Sequence, residues 1–434
     1  MRDFLKEIEN RILVHDGSKG YILQKLGLAG GECGELWNLT NQEAVRAVYR
    51  SYIEAGADVI QTNTFPGNRI YLNKYSLGDK TFEINYWGTK LAREVAGEEK
   101  FVCASIGPAG MLFEPSGKLT FDMAYEAYCE QIKAVVEGGA DIINFETFTD
   151  LAEMRTALLA AKETANIPVI CSIAFERNGR TLMGTDPFVA AIVLKALGAD
   201  LVGSNCSVGP EHMLGIAKVM SEAGGGYLSM KPNAGLPQMT GDTVEYTQTS
   251  EHFAELASQF VQYGARLIGG CCGTTPEFIK ALKKKTDNLK PFSVRKKLSG
   301  IISSSVRYAD TAKLDWKNVG MLDVSKNPAF NEVLSKNDLS YVEEAALDLA
   351  SEGYDAVYVN VDGANGDDYL LAGVVDRVQW YVKDPLILET SKPVALKRAL
   401  RIYRGVAGVV TGKNPAHEES ALKVAAEKYG SVII

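Results

Sequence analysis

One phrase occurs four times in this chain and limits what it can fold into. Glu54-Ala-Gly-Ala-Asp-Val-Ile60, Glu137-Gly-Gly-Ala-Asp-Ile-Ile143, Leu197-Gly-Ala-Asp-Leu-Val202 and Tyr263-Gly-Ala-Arg-Leu-Ile268 share one plan: helical pattern, glycine, very short turn, apolar run. Glycine ends a helix because it enters the left-handed region without a Cβ penalty, and the short apolar run reads as a buried strand. With the other apolar runs placed between these phrases, strands are expected to start near Ile12, Asp58, Phe101, Asp141, Pro168, Leu201, Tyr227 and Arg266, each followed by a helical segment. Strands alternating with helices pair in parallel. About eight such units in about 285 residues have the count and size of a closed (β/α)8 TIM barrel, so the fold class is α/β.

Residues 1–285 are therefore assigned to the barrel, within a chain of 434 residues. Residues 286–317 read as a linker, where Arg295-Lys-Lys297 and Ser303-Ser-Ser305 follow Lys283-Lys-Lys285. Its lysines suit a solvated face. From 318 to 434 strand and helix alternate again, with strands expected at 319–324, 356–361, 386–388, 406–410 and 432–434. Helices are expected at 341–351, 369–381, 393–403 and 418–429. Such a smaller α/β domain amounts to about half a barrel, whose open edges call for a cover such as the first domain, a partner or a second copy, giving a homodimer.

The formal net charge of −8 argues against nucleic acid as the main partner, which leaves a basic footprint. A membrane role is not expected, because no apolar stretch approaches bilayer length. The first ten residues lack the apolar core of a signal peptide, and seven cysteines suit a reducing, cytoplasmic setting.

In a barrel of this kind the site lies at the C-terminal strand ends. Those positions hold Asp16-Gly17-Ser18, Thr62-Asn63-Thr64, Gly107-Pro108, Glu146-Thr147, Asn205-Cys206, Pro232-Asn233-Ala234-Gly235 and Cys271-Cys272. Cys206, Cys271 and Cys272 each sit where an apolar run breaks into small and polar residues. Neighbouring side chains of a regular strand point to opposite faces, but the glycines around Cys271 and Cys272 relax that restriction. Three thiolates brought together make a zinc site with one open position, the mark of catalytic metal. The alternatives are a vicinal Cys271–Cys272 disulfide and plain space filling, the role expected of Cys103, Cys129 and Cys171. Cys33 lies in a loop with no partner evident from sequence.

With these residues in view, positions 1–285 resemble the homocysteine methyltransferase family, which includes betaine-dependent and cobalamin-dependent branches. The resemblance rests on Asp16-Gly-Ser-Lys-Gly20, Thr62-Asn-Thr-Phe65, Glu146-Thr-Phe148, Asn205-Cys206 with Gly209-Pro210, Pro232-Asn-Ala-Gly-Leu-Pro237 and Gly269-Gly-Cys-Cys-Gly-Thr-Thr-Pro276, in family order. It implies that Cys206, Cys271 and Cys272 are the zinc thiolates and catalytic centre, with homocysteine as substrate. Residues 318–434 resemble the first half of a pterin-binding barrel with departures. Met321-Leu-Asp-Val-Ser325, Glu389-Thr390 and Thr411-Gly412 replace that family's motifs, and Asn360 alone stays in register with a pterin-contacting position. No folate site is expected there.

Zinc deprotonates a bound thiol outright. Asn233 is a candidate weak oxygen ligand for the fourth position. Glu146 and Asp16 are candidates for the substrate ammonium, and backbone N–H groups at Gly17 and Ser18 for its carboxylate; Lys19 could help there, but is expected to be an exposed lysine. Asn63 and Thr64 line the floor. His15 is expected to point away from Asp16, and His212, His252 and His417 to lie on helix surfaces. The pterin-like half ties the chain to the methionine synthase branch, and no Asp-x-His-x-x-Gly cobalamin motif occurs. The favoured methyl donor is therefore a methylated corrinoid (cobalamin) carried by a separate protein. Two alternatives stay open: a small onium donor such as S-methylmethionine or betaine, caged by Tyr21, Phe65 or Phe148, and a non-catalytic zinc- or thiol-binding subunit.

Overall fold

The computed structural model describes residues 2–240, 243–246, 248–336, 338–364, 366–411 and 416–434. Gly412 and the side chain of His417 lie outside the described ones. The chain divides into two compact units, one of residues 1–188 and 199–296, the other of 189–198 and 297–434.

The first unit is a parallel barrel of eight strands: β1 Leu13–Val14, β2 Val59–Gln61, β3 Phe101–Ile106, β4 Ile142–Phe148, β5 Val169–Ile173, β6 Leu201–Asn205, β7 Tyr227–Lys231 and β8 Ala265–Ile268. Each start falls within one residue of the expected position. The strands pair in sequence order from β2 to β8, and β8 pairs β1. Closure between β1 and β2 runs through a His15–Val59 bridge, with the N–H of Asp58 donating to Val14 O at 2.7 Å and that of Asp16 to Val59 O at 3.0 Å.

The repeated phrase explains why the strands start where they do. Gly56, Gly139, Gly198 and Gly264 all stand at positive φ, between +91° and +99°. The aspartate that follows has a second task that periodicity did not disclose. Asp58 accepts the N–H of Val14 at 3.0 Å, Asp141 that of Val102 at 2.8 Å and Asp200 that of Val169 at 2.8 Å. Each carboxylate thus caps an N–H on the preceding strand and pins the register of one strand pair. In the fourth copy Arg266 replaces the aspartate.

Alternation along the strands sorts the barrel interior into layers. At the closed end Leu13, Val59, Phe101, Ile142, Ile170, Leu201 and Leu267 converge, sealed by Phe4 and Ile8 of the helix Phe4–Asn10. Two and four residues further along, the same faces turn polar: Gln61, Ser105, Asn144, Glu146, Ser229 and Lys231, all buried. The apolar end supplies the burial that stabilises the barrel, at roughly 25 cal/mol per Å². The polar end builds the site.

The second unit carries a five-stranded parallel sheet in sequence order: Val319–Asp323, Ala356–Asn360, Leu386–Glu389, Gly408–Val410 and Val432–Ile433. Helices Ser340–Glu352, Leu370–Tyr381, Pro393–Ile402 and Ala416–Lys428 fall where expected, and Pro328–Leu334 adds one more. Ile302, Val319, Ala356, Tyr358 and Ile387 form one apolar cluster. The stretch read as linker contains an antiparallel pair, Ile301–Ser303 with Tyr308–Asp310, and Ser303 bridges Val406 of this sheet. Among the described residues no helix is long and apolar enough to cross a membrane.

Candidate functional site

The three thiols of Cys206, Cys271 and Cys272 meet at the C-terminal rim, with their sulfurs within 4.8 Å of one another. The Cys206 and Cys272 sulfurs are 3.6 Å apart. Tetrahedral zinc with Zn–S bonds of about 2.3 Å places its sulfurs about 3.8 Å apart, so the donor set fits that metal. All seven cysteines stand as free thiols in this structure.

The backbone is bent to bring them there. Cys206 and Ser207, at the end of β6, stand at φ of +62° and +59°. Non-glycine residues adopt this region only when their surroundings over-determine it. Here the Cys206 N–H donates to Lys231 O at 3.1 Å, and its carbonyl accepts from Val208 N at 2.7 Å. On the β8 side the N–H of Cys271 donates to Pro232 O at 2.9 Å and the carbonyl of Cys272 accepts from Ala234 N at 3.0 Å. Gly273 then turns at φ +79°, with Tyr246 packed so closely that a Cβ there would lie 2.3 Å from its ring. Gly17 is needed for close approach, since a Cβ would stand 2.7 Å from Thr274 O.

Side chains from other strands fix the thiols. Asn205 exchanges two 2.8 Å hydrogen bonds with Thr147 and directs its amide nitrogen at the Cys271 sulfur, 3.6 Å away. Thr147 is itself left-handed, at φ +63°. Asn233 Oδ1 accepts the Cys272 N–H at 3.1 Å, and that fixed donor orients the amide. Its nitrogen therefore faces the Cys206 thiol, to which it also hydrogen-bonds. The oxygen assigned to the fourth metal position is thus engaged in holding the Cys272 backbone.

Charge crowding decides the thiol protonation. Hydrogen bonds from Cys271 and Cys272 pull the Cys206 pKa far down, while the same contacts hold Cys271 and Cys272 up. One thiolate is tolerated among two thiols; three together require a cation.

Below the sulfurs lies a residue the sequence reading passed over. Lys231 is 2% exposed. Its ammonium donates to Gln61 Oε1 at 2.8 Å and to Glu146 Oε2, with which it forms a buried ion pair. Burial opposes its charge, but Glu146 and Cys271 outweigh this and hold its pKa above the usual lysine value. The signal was in the alternation, because Tyr227, Ser229 and Lys231 share one face of β7.

Several expected placements change. His15 does not point away from Asp16: its Nδ1 lies 2.8 Å from Asp16 Oδ1, because the chain leaves regular strand geometry after Val14. Burial, aided by the Lys231 charge, lowers the His15 pKa and keeps the ring neutral. Lys19 is not exposed; its side chain is 10% accessible, with Nζ 3.7 Å from Asp16 Oδ2. The Ser18 N–H is taken by Thr274 O at 3.0 Å, which removes it from any anion nest. Asn63 is buried and ties the Gly34–Leu36 turn to β2, donating to Gly34 O at 2.9 Å and Asn38 Oδ1 at 3.0 Å. Thr64 donates to Ser105 O at 2.7 Å. Cys33 has a partner, the Glu35 carboxyl at 3.6 Å. Cys103 and Cys171 are buried as filler, and Cys129 is half-buried against Thr164. Phe148 is fully buried against Tyr128 and Phe145 and faces no ligand at the rim. His212 and His252 are exposed on helices.

Comparison with known proteins gives the family and the fold. Methionine synthase of Mycobacterium tuberculosis is 28% identical over 428 residues, 93% of this chain and 36% of that protein. Methionine synthase of Mycobacterium leprae is 33% identical over 298 residues, 64% of this chain and 24% of that protein. The chain thus spans 36% or less of the length of these curated relatives. Among solved structures, the homocysteine methyltransferase MmuM from Escherichia coli shares the fold in its oxidized form, with a TM-score of 0.54 at 22% identity over 63% of this chain and 96% of that one. Its metallated form gives the same score at 21% identity, with the same coverage. Residues 13–286 match the homocysteine S-methyltransferase family, and the chain belongs to it.

Proposed function

We propose that this protein transfers a methyl group to the thiol of homocysteine, forming methionine, at a zinc ion held by Cys206, Cys271 and Cys272. The observation that carries this reading is the convergence of those three sulfurs, within 4.8 Å, on the rim where barrel enzymes react. A metallated form of MmuM is consistent with it. Zinc bound there would supply a deprotonated, electron-rich acceptor sulfur at neutral pH.

The chain's own residues do the rest. Asn205 and Asn233 hold two of the sulfurs that would bind the metal. Lys231 places a fixed positive charge under an otherwise anionic cluster. In the transfer the S–CH3 bond forms as the bond from carbon to donor breaks, and its electron pair stays with the donor. The methyl source is a methylated corrinoid borne by a module outside these residues. The second unit serves as a docking or dimer-forming element.

A small onium donor is the second reading, and one observation favours it. Tyr21 and Tyr246 meet edge to face at 6.4 Å, and Tyr246 adjoins Gly273 beside the thiols. Lys25, however, already stands over the Tyr21 ring at 4.4 Å.

The test is zinc content together with methionine formation from homocysteine and methylcobalamin, a methylcorrinoid protein, S-methylmethionine or betaine in parallel. One zinc per chain with turnover on corrinoid donors supports the reading. Absence of zinc removes it, and turnover on an onium donor alone replaces it with the second.

A further inference from the structure

Thiolates that hold a metal are themselves nucleophiles, so a methyl donor brought to this rim meets three protein sulfurs besides the one it must reach. Each of the three has its own hydrogen-bond donor. Asn205 Nδ2 reaches the Cys271 sulfur at 3.6 Å, and its orientation is fixed because Oδ1 accepts the Thr147 N–H at 2.8 Å. The Asn233 amide and the Ser207 N–H serve Cys206. The Tyr246 phenol meets the Cys272 thiol, with its ring seated on Gly273 and edge to face with Tyr21 at 6.4 Å. These side chains come from the end of β6, the turn after β7 and the Thr243–Tyr246 strand of the hairpin beyond it. Asn205 uses both amide hydrogens, on Thr147 Oγ1 and Cys271, and a phenol has one to give, so neither has a hydrogen left for a fourth sulfur.

We propose that Asn205 and Tyr246 determine which sulfur is methylated: by donating to Cys271 and Cys272 they lower the reactivity of the metal-holding sulfurs and leave the acceptor sulfur the strongest nucleophile at the rim. This rests on the reading of the chain as a zinc thiol methyltransferase and adds what keeps it from methylating itself. A hydrogen bond to a thiolate stabilises the electron pair that would attack. Such a charge-assisted bond shifts a thiol by about one to two pK units, and nucleophilicity follows roughly 0.4–0.5 of that shift. Self-methylation forms an S–CH3 bond on a cysteine as the bond from carbon to donor breaks, and the electron pair of that bond leaves on the donor. The product is a neutral thioether, which no longer supplies the anionic sulfur that the metal site needs.

The probe is methyl iodide, which methylates a thiolate and releases iodide with the electron pair, applied to the zinc-loaded protein without homocysteine. Peptide mass spectrometry reads the methylation rate at each cysteine, and Cys129, half-buried against Thr164, is the internal reference. Tyr246→Phe keeps the ring on Gly273 and removes the donor. It is expected to raise the rate at Cys272 about three- to tenfold relative to Cys129, with Cys271 unchanged. Asn205→Ala, at saturating zinc, is expected to do the same at Cys271 with Cys272 unchanged. Wild-type rates at both sulfurs in these variants overturn the proposal, as does an equal rise at all three zinc cysteines, which signals a loosened metal instead. Should Asn205→Ala fail to fold, Tyr246→Phe carries the test alone. Methionine formation with no change in cysteine methylation would remove this inference and leave the proposed function. Selective methylation of Cys272 in Tyr246→Phe, without methionine from any donor, would do the reverse.

Discussion

Cys206 and Ser207 stand at φ of +62° and +59° at the end of β6, and their neighbours come from β4, β7 and β8. The strand ends of the second sheet are built differently. Asp323 accepts from Ser325, two residues on, at 2.9 and 2.7 Å. Asn360 accepts the N–H of Asp362 at 2.9 Å, and Glu389 the hydroxyl of Tyr358 on the adjacent strand at 2.5 Å. Both sheets are parallel and both place polar side chains at their C-terminal edges. In the first, groups distant in sequence are forced together at a cost of order 1–3 kcal/mol per left-handed residue. In the second, each group is satisfied by its own loop or next strand. Shared architecture therefore says little about activity; the convergent, strained edge is the one to which we assign the chemistry.

The sharpest way to break this contrast is to remove one sulfur. Cys272→Ala is expected to abolish zinc binding and lower methyl transfer by about a thousandfold or more, some 4 kcal/mol of transition-state stabilisation. Metal analysis and turnover on the same sample check it. A variant that keeps both zinc and activity would make the rim no more functional than the second sheet.

A smaller effect probes the supporting side chains. Asn205→Ala removes the link between Thr147 and the Cys271 sulfur while leaving all three thiols in place. Zinc affinity is expected to fall about 10–100-fold, as for other residues that orient metal ligands. Competition with a chromophoric chelator measures it. Unchanged affinity would mean that the left-handed backbone alone positions the sulfurs.

How far the sequence reading reached follows the same division. The strands were legible because glycine and apolar runs are local signals, and the cysteines because their residue type is chemically specific. Lys231 was missed because a buried lysine violates the expectation that lysine is exposed, and its main compensation, Glu146, lies 85 positions away. The ties from Asp58, Asp141 and Asp200 to the preceding strands were missed for a similar reason. The phrase showed that an acid recurs, but its partner lies in another strand. Asn233 was read as a fourth metal ligand, whereas its Oδ1 accepts the Cys272 N–H, a contact that chain position does not disclose. His15 and Lys19 were misjudged where regular strand geometry stops, since alternation predicts direction only within a strand.

Acidity separates the units next. Burial raises Glu35 to about 7, and Glu153 likewise to about 7. A folded-state pKa above the unfolded value of 4.5 means that the native state binds more protons in between. Stability contributed by Glu35 is therefore present below about 4.5, declines as pH rises to about 7 and is level above that. Glu35→Gln is expected to flatten this part of the profile, with a gain at pH 8 on the order of 3 kcal/mol relative to wild type. Urea unfolding at pH 5 and pH 8 checks it. An unchanged slope would show that Glu35 is solvated or paired at neutral pH.

The smallest expected effect tests the quiet side of the comparison. Glu389→Gln keeps the shape of the second sheet's edge and replaces only the charge that meets the Tyr358 hydroxyl. If that edge takes no part in the reaction, the variant transfers methyl groups at the wild-type rate, within about twofold. The loss of a charged hydrogen-bond acceptor costs roughly 1 kcal/mol of stability. The same assay, run with a methylcorrinoid protein in place of free methylcobalamin, adds a second reading. A selective fall with the protein donor would turn the second sheet into a docking surface, whereas a fall with both donors would place a catalytic group where local hydrogen bonding argues for none.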